Sequence, residues 1–444
     1  MIAAPATSQT RVFLFLQGPS SSLFAKTGRE LSKLGHKCVR VNLNAGDWIF
    51  WHGKGAANYQ GRFEHWHSYL LSLFDRHAIT DLVLLGEERP YHKVATELAK
   101  EKGISITVIE MGYLRPDWIT IERNGMSSNS HFPNDPNAIR FAARNVQAPD
   151  FQKIYSQSFF VEALLDLAYN LPNVFFSFLF PHYRRHGLFH PLREYAGWVK
   201  RLSIRRREKE RAEKLVQHLR AVGSPYFVYP LQLETDYQLR AHSPYSSQFE
   251  AIDEVLGSFA SHAPPDTHLV VKSHPLDNGL LDWRARITEI ATGHSLSKRV
   301  HFIDEGDLSA FVKFCIGMVS VNSTAILHGL KSGTPAKILG CAVYDIEGMT
   351  DQGALDGFWS APMRPDPELT EDFYKLLAQT IHVRGNFYSR RGTNAAALAI
   401  AERLSLGTIN QPGGDCGYAP RKRPQKLQAG SNVSNLAQPS TKGC

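Results

Sequence analysis

The sequence predicts an α/β fold built from two Rossmann-like halves. Three observations support it: a length of 444 residues, alternation of short apolar runs with amphipathic segments in each half, and a basic helical segment between the halves. A chain of this length exceeds one typical core. Short apolar runs separated by helical segments are typical of parallel strands with helical crossovers.

The first half, residues 11–157, opens with a βαβ pattern after a short tail at residues 1–10, where no signal peptide is predicted. Helices are predicted at residues 23–34 and 91–102, and strands at residues 11–16, 38–43, 81–85 and 104–109. The turn after the first strand lacks the GxGxxG pattern, which argues against a bound dinucleotide.

The second half, residues 223–362, repeats this theme. Strands are predicted at residues 226–231, 268–271, 300–303, 317–321 and 336–339. With a helical connector at residues 158–222, the two halves predict the GT-B architecture of nucleotide-sugar transferases. Residues 363–405 are predicted as C-terminal helices and residues 406–444 as a disordered tail, because the tail is rich in small and polar residues.

The net charge of +8 is concentrated in the connector. Residues 183–215 hold eleven Lys or Arg and four Glu, a net charge of +7, directly after an aromatic, apolar stretch at residues 159–180. Such an arrangement suits an anionic membrane surface. A core helix followed by a solvated linker is the alternative. Nucleic acid is disfavoured for want of a binding motif, and no stretch has the roughly 18 apolar residues of a spanning helix.

Polar groups follow two predicted strands of the second half. Asp236 comes after the first of these strands and offers a nucleophile or general base, although a turn former or helix cap is the simpler interpretation. Gln232 and Glu234 could orient it. In open α/β sheets ligands bind at the carboxyl ends of the strands.

Lys272 and His274 end the next strand and can donate to phosphate oxygens, with Pro275 fixing the exit. Asn322-Ser323-Thr324 is predicted to begin a helix, whose free N–H groups and positive end favour an anion; an ordinary N-cap is the alternative. The sequence contains no metal-ligand spacing, so no metal and no cofactor are expected. The five cysteines show no such spacing either, and they fit reduced thiols.

These motifs, taken in order, resemble the bacterial capsule polysaccharide biosynthesis proteins of the single-module KpsS/LipB type. The matching segments are Leu16-Gln17-Gly18-Pro19, Gly46-Asp47, residues 86–92 and 110–117, Pro230-Leu231-Gln232 with Asp236 and Gln238, His242-Ser243-Pro244, residues 272–277, Asn322-Ser323-Thr324, Leu339-Gly340, Tyr344-Asp345, and residues 355–359 and 385–388.

The resemblance implies a retaining β-Kdo transferase of GT-B fold. It implies transfer of Kdo from CMP-Kdo to lysophosphatidylglycerol, starting the poly-Kdo linker of a capsule, by a cytoplasmic enzyme peripheral to the inner face of the inner membrane. The two-module Kdo transferase and the capsule ABC-transporter machinery are the implied protein partners. An inverting transferase using another CMP-sugar and a non-catalytic capsule assembly or export factor are the alternatives.

The resemblance also assigns roles to residues. Asp236 is similar to the family's nucleophile, with Gln232 and Glu110 as further catalytic candidates. A CMP site is implied at Lys272, His274, Pro275, Asn322, Ser323 and Thr324. The Kdo carboxylate or the acceptor phosphate needs cations, for which Arg89 and Arg115 serve, together with Gln17.

Overall fold

The computed structural model describes residues 10–53, 55–156, 158–185, 187–411 and 417–427. The strands are β1 (Val12–Phe15), β2 (Lys37–Asn42), β3 (Ala56–Asn58), β4 (Asp81–Leu85), β5 (Ser105–Met111), β6 (Trp118–Arg123), β7 (Tyr226–Pro230), β8 (His268–Lys272), β9 (Val300–Ile303), β10 (Gly317–Ser320), β11 (Ala336–Ile338) and β12 (His382–Arg384).

The helices are α1 (Leu23–Lys33), α2 (Ala45–Phe50), α3 (Trp66–His77), α4 (Pro90–Glu101), α5 (Pro136–Ala143), α6 (Phe159–Phe175), α7 (Pro191–Val222), α8 (Tyr237–Ala241), α9 (Gln248–His262), α10 (Trp283–Gly293), α11 (Leu308–Val312), α12 (Ile326–Lys331), α13 (Leu355–Phe358), α14 (Pro367–Thr380) and α15 (Arg390–Leu406). The chain forms two compact units. Unit 1 comprises the described residues of Met1–Leu192 and Glu368–Arg421, and unit 2 those of Arg193–Pro367 and Lys422–Cys444.

Unit 1 is centred on a sheet with strand order β12-β6-β5-β4-β1-β2-β3. The five strands from β5 to β3 are parallel, whereas β6 and β12 pair antiparallel at the other edge. Every residue of β1 and β4 is buried, as expected for parallel strands covered on both faces. α15 packs against α1 in the same apolar core, so the C-terminal segment completes this unit.

Unit 2 is centred on a fully parallel sheet with strand order β11-β10-β7-β8-β9. Its core is formed by alternating residues of β7 and β8 with α9 and α10, including Phe227, Tyr229 and Val271. β7 lies between β8 and β10, so the carboxyl ends of these three strands are neighbours. The mixed α/β fold with parallel sheets that the sequence predicted is confirmed.

Two predicted segments differ from the structure. Residues 363–405 were expected to be helical, but they also contain β12, whose three residues are too few to show an alternating pattern. Residues 417–427 lie in the predicted disordered tail, yet the Arg421 guanidinium donates to the Phe132 carbonyl at 2.8 Å, and the Leu427 N–H donates to the Pro244 carbonyl at 2.9 Å. The rest of the tail beyond residue 411, and residues 1–9, lie outside the described residues.

The predicted connector is helical. α6, a short 3-10 turn (Ser177–Leu179) and the 32-residue α7 fill most of residues 158–222. Within the described parts of the chain, the structure holds no helix with the length and apolar content needed to cross a bilayer.

Candidate functional site

The carboxyl ends of β7 and β10 are joined by two predicted site residues. The Gln232 side-chain Nε2 donates to Asn322 Oδ1 at 2.6 Å, and the Asn322 backbone N–H donates back to Gln232 Oε1 at 3.1 Å. Both side chains are buried. The structure therefore brings Gln232 and Asn322 together, and it uses much of their hydrogen-bonding capacity to fasten two adjacent strand ends.

The same pair holds the segment that carries Asp236. Asn322 Nδ2 donates to the Gln238 carbonyl at 3.0 Å, in the first turn of α8. Gln248, at the start of α9, accepts from the Gln232 N–H at 3.1 Å, and its own N–H donates to Glu234 at 2.9 Å. The loop between β7 and α8 is thus fixed from both sides.

Asp236 is the N-cap of α8. One carboxylate oxygen accepts from the Gln238 N–H at 2.8 Å, while the Asp236 backbone is extended. The prediction that Asp236 caps a helix is therefore confirmed. A carboxylate offers about four lone-pair sites, and the capping bond occupies one of them.

Lys272 ends β8 as a buried cation. Its side chain is 4% exposed, and Nζ lies 3.4 Å from the Ser273 carbonyl and 3.5 Å from the Asp304 carbonyl. Burial lowers the Lys272 pKa, and the nearby Glu305 carboxylate opposes that shift. The charge that the sequence assigned to phosphate binding is present, with acidic groups already beside it.

His274 lies beyond the strand rather than on it. β8 ends at Lys272, and a turn follows in which the Asp277 N–H donates to the His274 carbonyl at 3.0 Å. The Leu276 N–H donates to His274 Nδ1 at 3.0 Å, so Nδ1 is the acceptor and the neutral ring carries its proton on Nε2.

Arg201 of α7 was missed by the sequence analysis. It is 2% exposed, and its guanidinium donates to the carbonyls of Pro275 at 3.0 Å and Asp304 at 3.3 Å, and also to that of Asp277. The Asp304 and Glu305 carboxylates lie 3.4 Å away. Arg201 therefore fixes the loops that follow β8 and β9, next to Lys272.

The sequence of α7 contains a helical periodicity that includes Arg201, but its positions are not all apolar. The buried face of α7 includes Arg201, Glu208, Ala212 and Leu219, spaced at helical intervals. Because two of these positions are charged, a search for apolar periodicity passes over them.

The segment Asn322-Ser323-Thr324 does not begin a helix. α12 starts at Ile326 and has six residues. The N–H groups of Asn322, Ser323 and Ala325 donate to side-chain oxygens within unit 2, at 3.1 to 3.3 Å. These three N–H groups are therefore not free donors at a helix start, because the local turn and the strand ends already use them.

In unit 1, predicted site residues line a cavity of about 230 Å³. Arg89 and Glu110 contribute to its wall, together with Tyr183 and Arg185, at the carboxyl ends of β4 and β5. Gln17, directly behind the wall, accepts from Arg89 Nη1 at 3.1 Å. The structure thus brings Gln17, Arg89 and Glu110 together around open space.

Arg115 is not part of that wall. It is exposed and lines a second cavity of about 80 Å³ with Trp118 and Asn386. Its Nε donates to the Gly112 carbonyl at 3.3 Å. The two arginines proposed for one ligand group therefore face different cavities.

A buried network that the sequence did not reveal supports the wall of the 230 Å³ cavity. Tyr169 of α6 accepts from Gln17 Nε2 at 2.8 Å, and its hydroxyl donates to Asp47 at 3.1 Å. Arg40 lies 3.1 Å from the same carboxylate. Burial raises the Asp47 pKa, and Arg40 counters it. Gly46 packs against the Tyr169 carbonyl, where a Cβ would lie 2.4 Å from the oxygen.

This network fixes which side of α6 is buried. Tyr169 faces the unit, whereas Phe160 is 74% exposed and Leu164 is 53% exposed. The aromatic stretch in the sequence therefore forms an exposed apolar surface rather than a core helix.

Residues 80–388 match the family model described as "Capsule polysaccharide biosynthesis protein". The chain belongs to this family, and so to the proteins of capsule polysaccharide synthesis and modification.

The chain is 30% identical over 381 residues to the capsule polysaccharide export protein KpsS of Escherichia coli, covering 85% of this chain and 96% of that protein. It is 31% identical over 393 residues to the capsule polysaccharide modification protein LipB of Neisseria meningitidis serogroup B, covering 85% and 91%. Among solved structures, it is similar to the β-Kdo 2,7 transferase of Thermosulfurimonas dismutans KpsC, with 14% identity, a TM-score of 0.41, and coverage of 89% of this chain and 100% of that one.

Proposed function

We propose that this protein is a retaining glycosyltransferase that transfers Kdo from CMP-Kdo to lysophosphatidylglycerol, starting the Kdo linker of a capsular polysaccharide. The observation that carries the proposal is the carboxylate of Asp236, held at the carboxyl end of β7 by a fixed loop, with a buried lysine at the end of the neighbouring strand β8. The family to which the chain belongs supports a role in capsule polysaccharide biosynthesis. The choice of Kdo and of lysophosphatidylglycerol follows from the resemblance described for the sequence.

Asp236 supplies the nucleophile in this proposal. Its oxygen forms a bond to the anomeric carbon of Kdo as the bond from that carbon to the phosphate oxygen breaks, and CMP leaves with the electron pair. The acceptor hydroxyl then displaces the aspartate oxygen and gives up its proton to a base. Glu110 is the second catalytic candidate. Two displacements retain the anomeric configuration.

Lys272 and His274 stabilise the departing phosphate in this proposal. The protonated Nε2 of His274 is a donor, and Lys272 is a cation in a partly desolvated site. Ser323 and Thr324 complete the proposed CMP site. No metal is required, because the leaving group carries one phosphate.

A lipid acceptor is supported by the surface of the connector. Phe160 and Leu164 of α6 are exposed, and the basic residues of α7 include Arg206, which is 94% exposed. Each basic residue close to an anionic bilayer contributes about 1 kcal/mol to the free energy of membrane binding. Exposed apolar side chains add to that binding by entering the lipid interface. The protein is accordingly proposed to act at the inner face of the inner membrane, where the two-module Kdo transferase and the export machinery are its proposed partners.

The proposal is tested by incubating the purified full-length protein with CMP-Kdo and a short-chain lysophosphatidylglycerol, followed by mass spectrometry of lipid and protein. We expect lipid that gains one or more Kdo units and release of CMP. Binding of CMP-Kdo with no turnover would support the non-catalytic assembly factor instead. Transfer from CMP-sialic acid, but not from CMP-Kdo, would support the inverting alternative.

A further inference from the structure

Unit 1 contains another cavity, of about 530 Å³, that the sequence analysis did not predict. Its wall is formed by α1, α6 and the first turn of α15. Apolar side chains of Phe50, Val161 and Leu165 line one part of it, and Lys26 and Arg390 contribute cations. The volume lies in the range of small-molecule sites in proteins, about 300 to 1,000 Å³.

The side chains that line this cavity carry a net positive charge, and the Glu162 and Asp166 carboxylates of α6 lie close enough to act on Tyr388 of the same wall. Among the lining residues that the structure describes, the two that carry charge are Lys26 and Arg390. Burial lowers the Lys26 pKa, and Arg29 and Arg390 lower it further, which places a third cation nearby. A site with this balance favours an anion.

The position of Arg390 supports the same conclusion independently. α15 begins with Arg390 and Arg391, and its first turn contains no acidic residue. Cations are disfavoured at a helix N-terminus, where the helix dipole is positive. Two arginines at that end therefore add to the positive field around the cavity instead of offsetting it.

The apolar part of the wall is continuous with the exposed surface of α6. Val161 and Leu165 line the cavity, and Phe160 and Leu164 are exposed on the same helix. An alkyl chain in the cavity would thus contact apolar side chains of the same helix that carries the exposed apolar surface. A purely polar anion would leave Phe50, Val161 and Leu165 without a role.

We propose that this cavity binds a single-chain anionic phospholipid, with the phosphate on Lys26 and Arg390 and the acyl chain against Val161 and Leu165. Its assignment as the acceptor site rests on the proposed function. Tyr388 lines both this cavity and the one to which Arg89 and Glu110 contribute, so a lipid bound here lies next to those residues.

The test measures binding of monomeric lipid by isothermal titration calorimetry, with the full-length protein and 14-carbon lysophosphatidylglycerol below its micelle concentration. Lysophosphatidylcholine of the same chain length has no net charge and therefore tests whether binding needs an anionic headgroup. Glycerol phosphate has no acyl chain and therefore tests whether binding needs the chain. Leu165→Trp fills the cavity, and Leu164→Trp places the same side chain on the exposed neighbour. Lys26→Ala with Arg390→Ala removes the cations, and Lys33→Ala with Arg76→Ala, two exposed cations that do not line the cavity, is the matched control.

We expect Leu165→Trp and the Lys26/Arg390 variant each to weaken binding of lysophosphatidylglycerol by about tenfold or more, while both controls bind as the wild type does. Lysophosphatidylcholine and glycerol phosphate should bind at least tenfold more weakly than lysophosphatidylglycerol. Unchanged binding in both cavity variants would overturn the proposal, and so would equal affinity for lysophosphatidylcholine.

A transfer assay separates this proposal from the proposed function. Cavity-dependent lipid binding without Kdo transfer would contradict the proposed function and leave the lipid site standing. Kdo transfer with an unchanged KM for the lipid in both cavity variants would contradict the lipid site and leave the proposed function standing.

Discussion

The two units place polar side chains at the carboxyl ends of their strands and use them differently. In unit 2, Gln232 and Asn322 bond to each other and to neighbouring loops. In unit 1, Arg89 and Glu110 line an open cavity. Strand-end position predicted proximity in both units. Whether a side chain is available to a ligand depends on how many of its donors and acceptors are already used within the unit.

The cations show the same difference. Lys272 is buried beside acidic groups, and Arg201 is paired with Asp304 and Glu305. Lys26 instead sits with other cations at the wall of a cavity. A buried, paired cation stabilises loops, whereas clustered like charges favour a bound anion.

The largest expected effect concerns Asp236, which is both helix cap and proposed nucleophile. Asp236→Asn keeps a good N-cap, so the thermal midpoint should stay within about 2 °C. Kdo transfer, measured by release of CMP, should fall about a thousandfold or more. In contrast, Asp236→Ala should also lose about 1 kcal/mol of stability. Retention of more than a tenth of the activity by Asp236→Asn would contradict the nucleophile assignment.

Two arginines of α7 test the role of buried pairing. Arg201→Met should lower the free energy of unfolding by about 3 kcal/mol, because the carboxylates of Asp304 and Glu305 and three carbonyl groups each lose one of their partners. Arg206→Met, on the exposed side of the same helix, should change it by less than about 0.5 kcal/mol. Urea unfolding of the full-length protein measures both. A loss of stability in Arg201→Met as small as that in Arg206→Met would show that Arg201 has no structural role.

Substitutions of Asn322 in unit 2 and of Arg89 in unit 1 compare the two strand-end regions directly. Asn322→Ala leaves the buried Gln232 Nε2 without its Asn322 Oδ1 acceptor and should cost about 1 to 3 kcal/mol in the free energy of unfolding. Arg89→Gln should change stability by less than about 0.5 kcal/mol, yet raise the KM for the lipid acceptor. Chemical unfolding and acceptor titration separate these effects. A stability loss in Arg89→Gln as large as that of Asn322→Ala would break the comparison between units.

A further expected effect is a pH dependence of stability that originates in unit 1. Burial raises the pKa of Glu122 to about 8, although the Ser130 hydroxyl donates to its carboxylate. The folded state thus holds a proton that the unfolded state releases near pH 4.5. The contribution of Glu122 to stability should therefore be greatest near pH 5 and should decline as the pH rises from about 5 to 8.

Glu122→Gln removes this titration and keeps an acceptor for Ser130. The difference in free energy of unfolding between pH 5 and pH 8 should be smaller in Glu122→Gln than in the wild type, measured by urea unfolding at each pH. Parallel pH profiles for the two proteins would show that Glu122 does not carry the effect.

Much of the fold was predictable because local patterns determine it. The strands at Asp81–Leu85 and Val300–Ile303 begin and end where the apolar runs do. The start of α12 was placed too early, since Asn322-Ser323-Thr324 has the composition of a helix cap but its donors are used by side-chain oxygens within unit 2. β12 was missed because it is only three residues long.

The sequence indicated the strand ends, but not which side chains meet there. The structure brings Gln232 to Asn322 and Arg89 to Gln17, yet the sequence could not separate Arg89, at one cavity, from Arg115, at another. Arg201 and Tyr169 were hidden in segments whose average composition indicated a membrane surface.

By itself, the sequence determined the α/β class, the alternation of strands and helices, and the family, because each depends on the local order of residues. Tertiary structure alone decided that Gln232 meets Asn322 ninety residues later, that Tyr169 reaches Gln17, and which face of α6 is exposed. These contacts join residues far apart in the chain. They depend on strand order and helix packing, which are set by the burial of the whole unit and by the need to pair each buried polar group.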